Sequence, residues 1–292
     1  MMRKFYIAVA LLSGVWGYAS ADSQSELLGR AKSLLEHGRY ADARHEYMRL
    51  QQVAPVDDLG LMQQTEYGLT VCAVELDDNV AEQRMVSFLD RYPGSVHAAD
   101  IRFRLALHYC EMEQWQDAKR EFEAVSYKAL TRADRERYDV RMGYIEFLAG
   151  NYDAAVGYFD RVPAGGTASD HAVYYKAYIA YSRGDIDAAY KGFSALKNSE
   201  IYSALIPFYL VQLEFDRGNY RYVTDNCDAL IAASSGKERT AVMRLAAEAW
   251  FRQENYRQSL QYITIYAKSV EGDMSREDNY LLGVGIPFSF SE

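Results

Sequence analysis

The sequence predicts an all-α fold built from repeated pairs of helices, because of its composition and one recurring turn. Only five prolines occur among the 292 residues, and alternating runs of Val, Ile and Thr, which are typical of strands, are missing. A hydrophobic fraction of 49% and a charged fraction of 25% are ordinary for a globular protein. The turn reads Gly-Asn-Tyr-Asp-Ala-Ala at residues 150–155, and close copies of it recur along most of the chain.

The copies of this turn have a nearly constant spacing. We take as a marker the residue that lies two positions after the turn glycine or its equivalent. The seven markers are Tyr40, Ala81, Trp115, Tyr152, Ile186, Tyr220 and Tyr256. From the third marker onward the steps are 37, 34, 34 and 36 residues, and a period in the mid-thirties with a central turn is typical of helix–turn–helix repeats.

Each turn carries residues that explain why one helix ends and the next begins. A glycine can adopt the left-handed backbone that ends a helix. The polar residue after it can accept a hydrogen bond from the free N–H groups that open the second helix. These expected N-caps are Asn151, Asp185, Asn219 and Asn255. The second repeat fits least well, because its turn at residues 77–79 has no glycine.

The helices of each repeat also carry small and large residues at fixed positions. Small residues lie nine positions before the marker, at Ala31, Ala106, Gly143, Ala177 and Ala247. Others lie three positions after it, at Ala43, Ala118, Ala155, Ala189 and Ser259. Large residues follow four positions later, at Tyr47, Phe122, Phe159, Phe193 and Ile263. Spacings of three and four place such residues on one helix face, so we expect them to form the contact within each pair.

This pattern resembles the tetratricopeptide repeat. The residues that carry the resemblance best are Ala106, Trp115, Ala118, Phe122, Gly143, Tyr152, Ala155 and Phe159. It covers about residues 24–268 as seven repeats, and the segments at 55–57 and 92–95 are similar to exported, Bacteroidetes-like periplasmic tetratricopeptide proteins. The resemblance implies a right-handed solenoid of antiparallel helix pairs whose first helices line a concave groove.

Residues 1–21 have the features of a secretory signal peptide. Arg3 and Lys4 precede an apolar run of 11 residues, and Ala19-Ser20-Ala21 matches a cleavage site before Asp22. The run is too short to span a bilayer, although an uncleaved anchor is the alternative. We therefore expect an exported protein of the periplasm or cell envelope, with a repeat domain at residues 22–268.

The net charge argues against nucleic acid as a partner. The whole chain has a formal charge of −9, and residues 1–21 contribute two basic and no acidic side chains. The remaining chain would carry 30 basic and 41 acidic residues, a charge of −11. Binding to phosphates needs a basic surface, and anionic membrane surfaces are disfavoured for the same reason.

No cofactor, metal or catalytic site is expected from the sequence. It has no metalloprotease, serine-hydrolase, phosphate-loop or Cys-x-x-Cys motif, so we expect no enzyme. The five histidines, at positions 37, 45, 97, 108 and 171, lack the spacing of metal ligands. Cys72, Cys110 and Cys227 are odd in number and read as small buried residues, with a Cys72–Cys110 bridge as the alternative.

One aromatic pattern suggests a binding surface. In the geometry that the resemblance implies, the groove is lined by residues about five, eight and twelve positions before the marker. The aromatic residues at these positions are Phe103, Tyr144, Phe147, Tyr174, Tyr178, Tyr181, Phe208 and Phe215. Two aliphatic residues, Leu107 and Val140, lie at such positions too. Such rings are favoured interface anchors, so they predict a groove for a protein or peptide partner. The alternative is that the rings only pack against one another.

The C-terminal segment, residues 269–292, is expected to be an incomplete eighth repeat with an irregular tail. Ser275 should cap a helix that includes Tyr280, and Pro287 should prevent that helix from continuing past Gly283. Because a solenoid normally ends in a polar capping repeat, we expect the chain to be part of a longer array, the alternative being a native short tail.

Taken together, these features predict an exported scaffold that binds peptide segments in cell-envelope assembly or transport. Two alternatives stay open. One is an accessory protein that binds glycans or nutrients through its rings, and the other is an accessory factor for secretion or folding.

Overall fold

A computed structural model describes residues 23–54, 57–270 and 274–288, with side chains to residue 283. The expected signal peptide and residues 289–292 lie outside the described part of the chain. Within that part every regular element is a helix, which confirms the predicted all-α class. The residues group into two compact units, of which one ends at Ser126 and the other begins at Tyr127.

The first unit contains three helix pairs. Its helices are α1 (Gln24–Glu36), α2 (Tyr40–Val53), α3 (Leu59–Glu75), α4 (Ala81–Arg91), α5 (Ala98–Glu111) and α6 (Trp115–Glu123). Consecutive helices pack against each other throughout the unit's three pairs.

The second unit begins with a short 3-10 turn, Tyr127–Ala129, and contains four helix pairs and one more helix. They are α7 (Arg132–Leu148), α8 (Tyr152–Phe159), α9 (Gly166–Ser182), α10 (Ile186–Ala195), α11 (Ile206–Asp216), α12 (Tyr220–Ala233), α13 (Gly236–Arg252), α14 (Tyr256–Ser269) and α15 (Arg276–Phe288). The seven predicted helix pairs are therefore all present among the described residues.

The turns inside the pairs have the backbone conformation that the sequence predicts. Three residues join the helices in six of the pairs, and the middle residue has a positive φ in each. Four of these residues are glycines, such as Gly150 at φ 76°, but Glu113 and Glu254 have φ values of 57° and 61°. The second pair differs, because five residues join α3 to α4 and Asp77 has the positive φ.

Three of the four expected N-caps are confirmed and one is wrong. Asp185, Asn219 and Asn255 each accept a hydrogen bond from the backbone N–H three residues later, at 3.0–3.3 Å. Asn151 accepts no such bond. Its amide donates to the buried Glu146 carboxylate at 2.8 Å. Asn219 donates to Glu214 in the same way and still caps its helix, so this bond does not explain the missing cap.

The contact between the two helices of a pair is a small residue next to a large side chain, as predicted. Ala155 and Phe159 are at most 1% exposed. A β-carbon added to Gly143 would lie 2.5 Å from the Phe159 ring, so only glycine allows α7 and α8 to approach this closely. The equivalent small and large residues of the other repeats are also buried. Burial of such rings contributes far more than the exposed ion pairs between repeats.

All three cysteines are buried and none is in a disulfide, so the alternative of a Cys72–Cys110 bridge is wrong in this structure. Cys72 packs with Leu27, Tyr47 and Leu69 in the core of the first helix pair. Burial raises the pKa of the Cys72 thiol to about 11, which leaves the thiol protonated and unreactive at neutral pH.

The last helix is longer than the sequence predicts. Ser275 accepts a hydrogen bond from the Asp278 N–H at 3.1 Å, which confirms the expected helix start. The helix then continues through Gly283 to Phe288, so the expected end near Gly283 is wrong. Pro287 is the second-last residue of α15, so only one helical residue follows it.

Candidate partner-binding surface

Phe103 is not part of an accessible groove. It lies in α5 of the first unit and is only 3% exposed, with its ring centroid 5.8 Å from that of Phe122 in the partner helix α6. Its position twelve residues before the marker Trp115 does not determine its exposure, which is set by packing within the helix pair. Phe103 is therefore a core residue, which corrects its assignment to the partner-binding groove.

The other predicted rings lie on the first helices of the second unit and are all partly buried. Tyr178 of α9 connects them. Its ring packs edge-on against Phe147 of α7, with centroids 5.6 Å apart, and against Tyr209 of α11 at 6.5 Å. Rings therefore make contact across three successive first helices, although each ring keeps part of its surface exposed.

Tyr174 is held more firmly than the other rings. It stacks on Tyr202, which lies between α10 and α11, with centroids 4.2 Å apart and planes 4° from parallel. Its hydroxyl lies 2.8 Å from that of Tyr209, whose ring stacks on the buried Phe193 at 4.3 Å. Tyr174 thus contributes to packing as much as to the surface.

Tyr144 and Tyr181 lie at the two sides of this group. Tyr144 is 5.1 Å from Tyr175 between ring centroids. Burial and the neighbouring carboxylate of Asp216 on α11 together raise the pKa of Tyr181 to about 12. The Tyr181 hydroxyl is therefore neutral at physiological pH.

Phe208 and Phe215 belong to a different part of the second unit. Phe208 packs against the buried Cys227 and Val242 of the following helices, and Phe215 packs edge-on against Tyr220 of α12 at 5.4 Å. Neither ring contacts Tyr178 among the described ring pairs. The structure therefore brings Tyr144, Phe147, Tyr174, Tyr178 and Tyr181 together. Phe208 meets this group only at Tyr209, its ring neighbour at 5.8 Å, and Phe215 packs on Tyr220 of its own helix pair.

Sequence reasoning missed two rings of this group, Tyr175 and Tyr209. Tyr175 stacks on Phe159 at 5.6 Å and lies 5.0 Å from Phe147. Both missed tyrosines lie eleven positions before a marker, next to the twelfth position that was used. We call the combined set the aromatic surface: Tyr144, Phe147, Tyr174, Tyr175, Tyr178, Tyr181 and Tyr209.

A cavity of about 390 Å³ lies between α7 and α9, beside the aromatic surface. It is lined by Arg137, Val140, Arg141, Tyr144, Ala168, His171 and Tyr175, and we call it the arginine pocket. Arg137, Arg141 and His171 were also missed, although they lie fifteen or eleven positions before a marker. Spacings of four place these positions on one helix face.

The arginine pocket has a positive potential. Burial lowers the pKa of His171, and the Arg141 guanidinium lowers it further, while Asp170 acts in the opposite direction. Burial raises the pKa of Tyr175 to about 12, with Arg141 opposing this shift. His171 is consequently neutral at pH 7, and its Nδ1 lies 2.8 Å from the Tyr202 hydroxyl.

A larger cavity of about 540 Å³ lies between α13 and α15. Its arginines face carboxylates, because Arg244 donates to the buried Asp278 at 2.7 Å and Arg252 to Glu248 at 3.0 Å. Across the described part of the chain, no cluster of three His, Cys, Asp or Glu side chains is arranged to hold a metal ion. No helix described here is long and apolar enough to cross a membrane.

Comparison with known proteins gives likeness in fold only. No family model and no curated protein matches the sequence. Among solved structures, the chain is similar to a tetratricopeptide repeat protein from Parabacteroides merdae, with 14% identity, a TM-score of 0.47 and coverage of 90% of this chain and 98% of the other. It is also similar to the apo form of the quorum sensor NprR from B. thuringiensis, with 18% identity, a TM-score of 0.41 and coverage of 85% and 76%.

A third similar structure is the TPR domain of P58(IPK), with 13% identity, a TM-score of 0.38 and coverage of 94% of this chain and 82% of the other. At these identities and scores the likenesses carry no conclusion about function. The period, the positive-φ turns and the contacts between small and large residues are features of the chain itself. By these features the chain is an array of helix pairs whose fold resembles the tetratricopeptide repeat.

Proposed function

We propose that the chain is an exported interaction scaffold whose aromatic surface binds a segment of a partner protein in cell-envelope assembly or transport. The observation that carries the proposal is the contact of Tyr178 with Phe147 on one side and Tyr209 on the other. These contacts make one partly exposed surface from three helices, and an extended or helical segment can lie across such a surface.

Packing among the rings supports binding as well as stability. A side chain that is already ordered loses little conformational entropy when a partner covers it. Stacking of Tyr174 on Tyr202 fixes one of the rings in this way. Tyrosine rings also offer hydroxyl groups at the edge of an apolar contact, which suits them to interfaces.

The proposal can be tested by selecting a library of random peptides on the immobilised protein. We expect the wild-type chain to enrich related peptides, and the variant F147A/Y178A to lose most of this enrichment. Losing two central anchors should weaken the selected peptides by roughly a hundredfold or more, since such anchors each contribute about 2 kcal/mol or more.

The matched control is V223A, which removes a fully buried side chain of α12 outside the aromatic surface. It should lower the unfolding temperature while the peptides still bind. If V223A weakens binding as much as F147A/Y178A does, the rings act only through stability. If the wild-type chain enriches no peptide but its fluorescence responds to oligosaccharides, glycan binding replaces the proposal.

Export is tested separately with a fusion of residues 1–21 to alkaline phosphatase, an enzyme that becomes active only after export. We expect periplasmic activity from the fusion and none from a version in which Leu11 and Leu12 are replaced by arginine, because charges interrupt the apolar run. An inactive native fusion would contradict the exported role and leave peptide binding to be judged by the selection.

A further inference from the structure

We propose that Tyr202 occupies part of the partner-binding site in the free protein, and that a tyrosine side chain of the partner segment replaces it on binding. This inference rests on the proposed function and adds to it an autoinhibitory contact and one anchor residue of the partner. Tyr202 belongs to residues 196–205, which join α10 to α11. We call residues 196–205 the tyrosine linker.

The tyrosine linker is the longest connection between consecutive pairs of the described helices. By comparison, only Ser234 and Ser235 separate α12 from α13. Most residues of the tyrosine linker are exposed, including Ile201, which directly precedes Tyr202. Exposed linkers open more easily than helices that pack in the core, so Tyr202 can leave its position without the unfolding of a helix.

Tyr202 covers part of the aromatic surface. Its ring stacks on that of Tyr174, with centroids 4.2 Å apart and planes 4° from parallel. Its hydroxyl lies 2.8 Å from Nδ1 of His171 and also forms a hydrogen bond with the Tyr175 hydroxyl. Three residues of α9 therefore bind one side chain of the linker, through a face of its ring and through its hydroxyl.

The Ser199 hydroxyl ties the tyrosine linker to α9. It donates a hydrogen bond to the Asp170 carboxylate at 2.5 Å. The same oxygen accepts hydrogen bonds from the backbone N–H groups of Ile201 and Tyr202, each at 3.3 Å. Ser199 therefore helps to fix the turn that presents Tyr202 to α9, and its loss should loosen the linker.

The contacts of Tyr202 define the chemistry of its replacement. Stacking on Tyr174 requires a flat ring. His171 and Tyr175 present polar atoms at the hydroxyl end of that ring. A tyrosine of the partner satisfies both requirements, whereas a phenylalanine would leave these polar atoms without the hydroxyl group that they now contact.

The position of Tyr202 is continuous with the rest of the aromatic surface. Tyr174 and Tyr178 lie one helical turn apart on α9, and both pack edge-on against Tyr209. A segment whose tyrosine takes the place of Tyr202 therefore has its neighbouring side chains near Tyr178. Because Tyr202 must leave first, the apparent affinity is the intrinsic affinity multiplied by the fraction of molecules whose linker is open.

The test carries out the peptide selection on the wild-type chain and on Y202A, and measures the selected peptides on both and on S199A and I201A. Y202A removes the competing ring, and S199A loosens the linker but keeps that ring. I201A is the matched control, because Ile201 is 46% exposed in the same linker. Each peptide is also made with its tyrosine replaced by alanine.

We expect the selected peptides to share a tyrosine and to bind Y202A roughly tenfold more tightly than the wild-type chain, as for removal of a stacked ring and its hydrogen bonds. S199A should bind them more tightly by a smaller factor, and I201A should bind them as the wild-type chain does. The alanine analogues do not require Tyr202 to leave, so they should bind Y202A and the wild-type chain equally.

The displacement is measured directly on the full chain with fluorotyrosine at position 202. Its fluorine NMR signal should move on saturation with a selected peptide, because the ring leaves Tyr174 for solvent. Circular dichroism checks that the variants keep their helices. If Y202A loses them, S199A and the fluorine signal decide the outcome.

The inference is overturned if the selected peptides share no tyrosine, if Y202A binds them no more tightly than the wild-type chain, or if the fluorine signal stays unchanged at saturation. In these cases peptides still bind, so the proposed function stands. Peptides selected by Y202A alone would support the inference. If neither chain selects a peptide, the proposed function fails and the inference fails with it.

Discussion

The inner face of the helix pairs and the outer face of the first helices in the second unit follow different rules. On the inner face, Ala155 and Phe159 are at most 1% exposed, and five of the seven repeats have small and large residues at the same positions. On the outer face, Phe147 and Tyr178 are partly exposed. Arg137 and His171 occur there fifteen positions before their markers, where the other repeats hold neither an arginine nor a histidine.

The residues that recur at fixed positions therefore determine the fold. The residues that vary from repeat to repeat determine the chemistry of the exposed surface. A buried contact between helices must be reproduced in every pair, because one pair alone cannot bury its apolar face. An exposed face has no such requirement, so an arginine pocket can occur beside one pair only.

The largest expected difference between the two faces is in stability. Phe159→Ala should lower the free energy of unfolding by about 3–5 kcal/mol, because it empties a fully buried site. Phe147→Ala should cost only about 1–2 kcal/mol, because part of its ring is exposed. Urea unfolding of both variants measures this. Equal losses would mean that the outer rings are core residues, and the proposed binding role would lose its basis.

The second prediction concerns the close approach of α7 and α8. Gly143→Ala should cost about 1–3 kcal/mol, because its new β-carbon would lie 2.5 Å from the immobile Phe159 ring. Gly157→Ala in α8 is the matched control, since no atom lies within 4 Å of its new β-carbon. It should stabilise the protein by up to about 1 kcal/mol through higher helix propensity. Similar effects at both sites, measured by thermal unfolding, would contradict the packing described for Gly143.

Substitutions in the turns should change the free energy of unfolding by smaller amounts, in opposite directions at two sites. Gly150→Ala should destabilise by about 1 kcal/mol, because a side chain at φ 76° is strained. Glu254→Gly should stabilise by a similar amount of about 1 kcal/mol, because it relieves the strain at φ 61°. Denaturation of the two variants tests the sign at each site. A loss of stability in Glu254→Gly would indicate that the glutamate side chain matters more than its backbone.

The smallest effect is expected from protonation of His171. Burial and Arg141 lower its pKa below the ordinary value of 6.5, so below that value the unfolded chain binds more protons than the folded one. Stability should then be complete above pH 6.5 and fall as the pH decreases toward the folded-state pKa. H171Q should reduce this fall. H97Q serves for comparison and should act in the same direction, because burial lowers the pKa of His97 as well. An unchanged pH profile in H171Q would contradict the buried environment of this imidazole.

Much of the fold can be predicted from the sequence because its signals are local. Gly38, Gly150, Gly184 and Gly218 all have the positive φ that a helix end requires. The second helix of each pair begins at its marker. The exceptions depend on contacts outside the turn. Asn151 donates to the buried Glu146 and does not cap its helix, and α15 continues past Gly283 despite a proline near its end.

The candidate site could be predicted less well, because position within a repeat does not determine exposure. Tyr178 and Phe103 occupy equivalent stripes of their helices by spacing, yet Phe103 is buried against Phe122. Phe208 packs against Cys227 and Val242 of the next two helices, and Phe215 packs against Tyr220 of its own pair. The arginine pocket depends on the distance between α7 and α9, which no pattern within one helix contains.

The most direct measurement of the central claim is photo-crosslinking of the selected peptide to the protein. A benzophenone side chain is placed at position 144 or 178 on the outer face, or at position 191, an exposed lysine on the second helix α10. We predict peptide adducts at positions 144 and 178 and almost none at 191. Adducts that form chiefly at 191, or equally at all three positions, would contradict the assignment of the aromatic surface as the binding site.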